Sequence, residues 1–233
     1  MKGMKTIAIG LCAAMLMTGC NNMSKGTAIG AGGGAILGAV VGKLAGNMAV
    51  GAAVGTAVGA GAGALIGKHM DKVKAQSEAV QNAQVESVTD ANGLQAVKVT
   101  FDSGILFNTG SAVLSQTAKN SLTQFANNVL KVNTDCDVAI QGYTDNQGWK
   151  NSTAEQSAQK NLTLSQQRAD AVSTYLKSLG VSATQIRAVD GFGEANPVAD
   201  NSTKAGQQQN RRVEVYLYAS QAMIQAAEAG TLQ

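Results

Sequence analysis

The second half of this sequence predicts an α+β fold, with two helices packed on one face of a small mixed sheet. The first half predicts a glycine-zipper helical hairpin ahead of it. Three observations carry that reading. Beyond residue 84, short segments of alternating apolar and polar residues interchange with longer stretches whose apolar residues recur at helical spacing. From Leu94 onward their order is strand, helix, strand, helix, strand, strand, which two packed layers satisfy. Glycine is uneven: of 27 glycines, 17 lie before residue 68, and the chain holds 1 proline.

Composition excludes several function classes. The 233 residues carry 18 Lys and Arg against 15 Asp and Glu, a formal net charge of +3. Two of the cations, Lys2 and Lys5, lie in a segment expected to be removed, so bulk charge does not favour nucleic acid. The single histidine, His69, excludes a Ser/His/Asp triad, an HExxH zinc site and any multi-histidine cluster. Cys12, Cys20 and Cys136 lack metal-ligand spacing, so no metal and no cofactor are expected. Neither a Cys/His pair nor a visible carboxylate pair points to catalysis, and a non-enzymatic role is expected.

From the N-terminus, residues 1–19 read as a targeting segment. Two lysines precede an apolar run, Ile7 to Met17, too short to span a bilayer. It ends in Met17-Thr18-Gly19-Cys20, which resembles a bacterial lipoprotein signal. That chemistry needs a thiol at the new N-terminus to carry diacylglycerol. Each buried methylene then contributes about 0.8 kcal/mol to anchoring. Cys20 is therefore the expected lipidation site, and residues 20–26 the lipidated N-terminus. An ordinary secretory signal with an incidental cysteine is the alternative. Asn21, rather than Asp, follows the lipid site, which points to the outer membrane with the folded part facing the periplasm.

Glycines then recur every four residues from Gly26 to Gly46 and again from Gly51 to Gly67, with Asn47 in the break. On a helix this step makes one slowly drifting small-residue stripe that lets two backbones approach closely. Residues 27–67 are read as a helical hairpin, its halves each about 30 Å long. It serves either as a membrane-inserted or oligomerising element or as a spacer packed on itself. Gly61 to Lys68 lacks phosphate-loop spacing. Residues 68–84, polar and free of Gly and Pro, are expected to form a solvated linker helix.

The domain expected over 85–219 begins with strands at Val85 to Thr89 and Leu94 to Phe101, joined by the turn Asp90-Ala91-Asn92-Gly93. Val113, Leu114, Ala118, Leu122, Phe125 and Val129 give a helix within 112–132. Cys136, Val138 and Ile140 give a strand, and burial on its inner face suits Cys136, with a redox sensor as the alternative. A second helix runs from Leu162 to Leu179 and stops at Gly180. Strands follow at Ile186 to Phe192 and Arg211 to Tyr218. Residues 220–233 read as a tail.

Five ordered blocks then carry a resemblance. They are Phe107-Asn108-Thr109-Gly110-Ser111-Ala112, Gly142-Tyr143-Thr144-Asp145-Asn146-Gln147-Gly148, Asn161 through Ala169, Gly191-Phe192-Gly193-Glu194, and Asn210-Arg211-Arg212-Val213-Glu214. Across roughly residues 95–218 the chain resembles the OmpA C-terminal-like (OmpA/MotB/Pal) peptidoglycan-binding family. With the lipid-site motif and the ladder, its layout is similar to that of an outer-membrane lipoprotein with an N-terminal glycine zipper.

The resemblance implies non-catalytic binding of the peptide stem of peptidoglycan, chiefly its diaminopimelate side chain. That side chain ends in an ammonium and a carboxylate on one carbon. Asp145 would take the ammonium, and Arg168, on the first turns of the second helix, would pair with the carboxylate through its planar fork. An Asp145–Arg168 structural ion pair is the other reading. Asn108, Thr144, Asn161 and Arg211 would add hydrogen bonds. Two features depart from the family pattern. Twelve residues separate Gly148 from Asn161 where about four are usual, and Asn108 stands where many members have Asp. Within the insertion, Trp149 is either a binding platform or a packing anchor. The expected partners are peptidoglycan, a lipid bilayer and a second copy of the chain. A structural or assembly lipoprotein acting through the glycine zipper is the alternative role.

Overall fold

The computed structural model describes residues 58–90 and 93–232. The expected signal segment 1–19, the lipid site Cys20 and residues 27–57 of the hairpin 27–67 lie outside the described residues. Among these, no helix is long and apolar enough to cross a membrane.

In chain order the elements are α1 (Ala60–Glu78), β1 (Ala83–Thr89), β2 (Gln95–Asp102), the one-turn α2 (Ser103–Leu106), α3 (Gln116–Phe125), β3 (Cys136–Gly142), α4 (Ala154–Ser178), β4 (Ile186–Gly191), α5 (Lys204–Asn210), β5 (Arg212–Ala219) and α6 (Gln221–Glu228). The sheet order is β1-β2-β5-β3-β4, antiparallel throughout except for the parallel β3–β4 pair. The α+β class expected from the alternation is the one observed.

The alternation works through register. Val99, Val215 and Ile140 lie opposite one another across three strands, as do Val97, Leu217 and Val138. These rows form one buried face. Helices α3 and α4 bury Leu122, Phe125, Val172 and Leu176 in the same core, where Phe101 meets Phe125 edge-on at 5.6 Å between ring centroids. Cys136 is fully buried there. Burial leads and the neighbouring Asp135 and Asp137 add to it, holding the thiol well above its usual range. Helix α3 gives way to a π-helical turn at Ala126–Leu130 that seats Val129 and Leu130 inward.

Two segments differ from expectation. The stretch 68–84 is not a freestanding solvated helix. Helix α1 runs unbroken across residue 68 and buries Ala62, Ile66, Met70, Val73 and Ser77, one stripe at steps of three and four. The tail after 220 contains α6, capped by Ser220 and packed on α1 through Met223, Ile224 and Ala227. His69, on α1, is nine-tenths buried, with Nε2 3.5 Å from an Asp135 carboxylate oxygen.

The site depends on one tight crossing. Gly142 and Gly191 are partners at the ends of the parallel pair. A Cβ on Gly142 would lie 2.2 Å from the Ser165 carbonyl oxygen, and one on Gly191 2.2 Å from the Gln166 amide nitrogen. Only glycine lets α4 lie this close to the sheet, so these two positions fix Arg168, three residues further along α4, relative to the loop that leaves β3.

Candidate functional site

At the C-terminal end of β3 a cavity of about 620 Å³ opens between four segments. These are α2 with the loop 107–110, the loop 144–150 after β3, the first half of α4, and α5 with Arg211. Most lining groups are polar. The charged residues are Asp145, Lys150, Arg168, Lys204 and Arg211, so four cations face one carboxylate.

Asp145 is nearly buried, its side chain 8% exposed. One carboxylate oxygen pairs with the Arg211 guanidinium, and the other accepts the Gln147 amide at 3.1 Å. A carboxylate has about four lone-pair positions, so two remain for a ligand. The alternative Asp145–Arg168 structural ion pair is therefore not what forms: Arg211 is the partner. Helix α5 brings it there, and Gln208 on the same helix accepts from its other terminal nitrogen.

Arg168 is 3% exposed and has no carboxylate partner among the described residues. Its Nε donates to the Ser111 carbonyl at 3.0 Å, and the guanidinium lies 5.2 Å from the centroid of the Phe107 ring. These contacts fix the plane of the fork and leave the two terminal nitrogens without an acceptor among the described residues. Burial first, then the neighbouring Arg211, lower its affinity for its proton to a pKa of about 10, with Asp145 acting in the opposite sense. At neutral pH the group is a desolvated cation turned toward a cavity, the arrangement that gains most from an incoming carboxylate.

The other expected residues take different places. Asn108 lies exposed on the rim of the cavity. Thr144 is buried, and its hydroxyl has no hydrogen-bond partner among the described residues. Asn161 works inside the wall: its amide nitrogen donates to the Gln147 carbonyl at 3.2 Å and the Asp145 carbonyl at 3.4 Å, and its oxygen accepts from Trp149 Nε1 at 2.8 Å. It positions the loop that carries Asp145.

Sequence reasoning missed Arg212, Gln208 and Lys204. Arg212 lies behind the site, 3.9 Å from the Tyr143 ring centroid, and donates to Glu214 Oε1 at 2.7 Å. Its own carbonyl accepts the Tyr143 amide at 2.9 Å, so this buried pair holds the start of the Asp145 loop. A basic and an acidic residue two apart on a central strand was the available signal. The insertion 149–160 is mostly helix. Thr153 and Gln156 form a reciprocal capping box, and α4 starts at Ala154 rather than at Leu162. Among the described residues, His69, Asp135 and Cys136 have donor atoms within 4.8 Å of one another, at the opposite end of β3 from the cavity.

The fold and this cleft define a five-stranded α+β domain with a cation-lined cavity where the parallel strands end. Residues 106–211 match the OmpA family, and residues 1–71 match the YMGG-like Gly-zipper family. It is 37% identical over 152 residues to the probable lipoprotein YiaD of Escherichia coli, covering 65% of this chain and 64% of that protein. It is 44% identical over 86 residues to the peptidoglycan-binding protein ArfA of Mycobacterium tuberculosis, covering 37% of this chain and 24% of that one. The chain thus spans less than two thirds of either relative. Among solved structures, the cell wall anchor of the T6SS from Pseudomonas aeruginosa is similar with a TM-score of 0.51 and 27% identity, over 65% of this chain and 97% of that one.

Proposed function

We propose that this chain is an outer-membrane lipoprotein that holds the diaminopimelate-containing stem peptide of peptidoglycan without catalysis. It would thereby tether the membrane to the cell wall from the periplasmic side. The observation that carries this reading is the buried Arg168, fixed in orientation and without a carboxylate partner, beside an Asp145 that keeps lone pairs free. A side chain ending in a carboxylate and an ammonium on one carbon complements that pair. Arg168 takes the carboxylate bidentately, and Asp145 takes the ammonium while Arg211 holds its second oxygen. The family match, the names of the relatives and the lipid-site motif at Cys20 support the same reading. The glycine-zipper match favours a second role for residues 27–67, pairing with another copy or inserting in the bilayer.

The test is co-sedimentation of the full-length, detergent-solubilised protein with purified sacculi. Wild type is retained, while Arg168→Ala and Asp145→Ala each lose retention and stay folded by circular dichroism. Loss of a charge-assisted contact costs about 1.5–3 kcal/mol, or roughly ten- to a hundredfold in affinity. Undiminished retention of both variants would move wall binding away from this cavity.

A further inference from the structure

The insertion after the Asp145 loop builds a wall that the zwitterion reading does not use. Trp149, the only tryptophan in the chain, lines the cavity together with Lys150. Its orientation is fixed at three points. The backbone nitrogen donates to Ser157 Oγ at 3.0 Å, and the indole Nε1 donates to Asn161 at 2.8 Å. The Lys160 ammonium lies 5.9 Å from the ring centroid. The far edge of the ring reaches the opposite loop, where a Cβ on Gly110 would stand 3.9 Å from Cη2. The indole therefore crosses the cleft and closes one end of it. Ser157 and Lys160, which hold it, lie on the added turns of α4. Lys150, next to it, forms no ion pair among the described residues.

We propose that Trp149 and Lys150 form a second subsite that takes the alanine following the diamino acid, its methyl group against the indole and its terminal carboxylate on Lys150. The proposal rests on the stem-peptide reading above. Two features argue for this occupant. Beyond Asp145 and its partner Arg211, the cavity holds Arg168, Lys150 and Lys204, more positive charge than one carboxylate answers. An aromatic face beside a lysine matches a residue with a small apolar body and a free carboxylate. A zwitterion held by Asp145 and Arg168 leaves its peptide backbone to continue toward a rim of the cavity, and Trp149 and Lys150 line one such rim.

Isothermal titration of the full-length protein in detergent separates the cases, with two stem peptides of equal charge. One ends at the diamino acid (tripeptide) and the other at the following alanine (tetrapeptide). Wild type should bind the tetrapeptide about tenfold more tightly, the value of one charge-assisted contact. Trp149→Ala and Lys150→Gln should each abolish the preference for the tetrapeptide over the tripeptide, and Trp149→Phe should keep it. Tetrapeptide should also change the emission of the single tryptophan. Equal wild-type affinities, or a preference that survives both Trp149→Ala and Lys150→Gln, would overturn the subsite and leave the stem-peptide reading standing. Failure of wild type to bind either peptide would overturn both.

Discussion

Replacing Gly142 with alanine tests how the fold aims the site. The added carbon would lie 2.2 Å from the Ser165 carbonyl oxygen and 3.0 Å from the Ser165 carbonyl carbon, whereas ordinary contact begins at 3.4 Å. Both obstacles are backbone, so no side chain can swing aside, and α4 must retreat from β3 by about 1 Å. Overpacking of this kind costs about 1–3 kcal/mol. For a folded unit of this size, each kcal/mol lowers Tm by about 2–4 °C, which puts the expected loss at about 2–12 °C. Arg168 moves with the helix while Asp145 stays with the strand, so the gap between them widens and sacculus retention should fall roughly tenfold. Gly148→Ala is the control, since its Cβ would meet Ser157 Oγ at an ordinary 3.7 Å. Thermal melts and co-sedimentation of both variants are the assays. A Gly142→Ala protein with unchanged Tm and full retention would refute the claim that this crossing sets the geometry of the site.

Three further outcomes are expected. Ile66→Ala and Met70→Ala, each at a fully buried position of α1, should cost about 2–5 kcal/mol in denaturant titrations; a loss below 0.5 kcal/mol would mean α1 is not docked. In the native protein the Cys136 thiol should react with maleimide at pH 8 far more slowly than after denaturation, by mass spectrometry of its tryptic peptide, because burial both shields it and disfavours the thiolate. Equal labelling rates would contradict its place in the core. Cys20→Ala should abolish metabolic palmitate labelling, and label that persists would remove Cys20 as the lipid site.

The parts of this fold that were legible in sequence are those set by local period. Val213, Val215 and Leu217 alternate on β5 because one face of that strand meets the helices, and the alternation survives in any context. The motifs likewise brought Asp145 and Arg168 to one cavity. What escaped was set by tertiary packing. The stripe of α1 runs through charged neighbours and crosses the composition change at residue 68, so a boundary drawn on composition cut it in two. A soluble fragment beginning at Lys68 would lose Ala62 and Ile66 from the core. Helix α6 follows β5 directly and has only three buried positions, too few for a periodic signal. The true start of α4 was readable, since Thr153 and Gln156 stand at capping-box spacing. Which arginine meets Asp145 was not. It depends on how α5 delivers Arg211 across 66 residues of chain, which no local pattern encodes.

The most direct test of the cavity as a wall-binding site uses the stem tripeptide ending at its diamino acid, titrated calorimetrically into full-length wild type and Arg168→Gln. Glutamine shortens the side chain and removes the charge and the fork, together with the guanidinium contacts to Ser111 and Phe107. The account predicts saturable binding by wild type and affinity ten- to a hundredfold weaker, roughly, in Arg168→Gln. Equal affinity in the two proteins would contradict it.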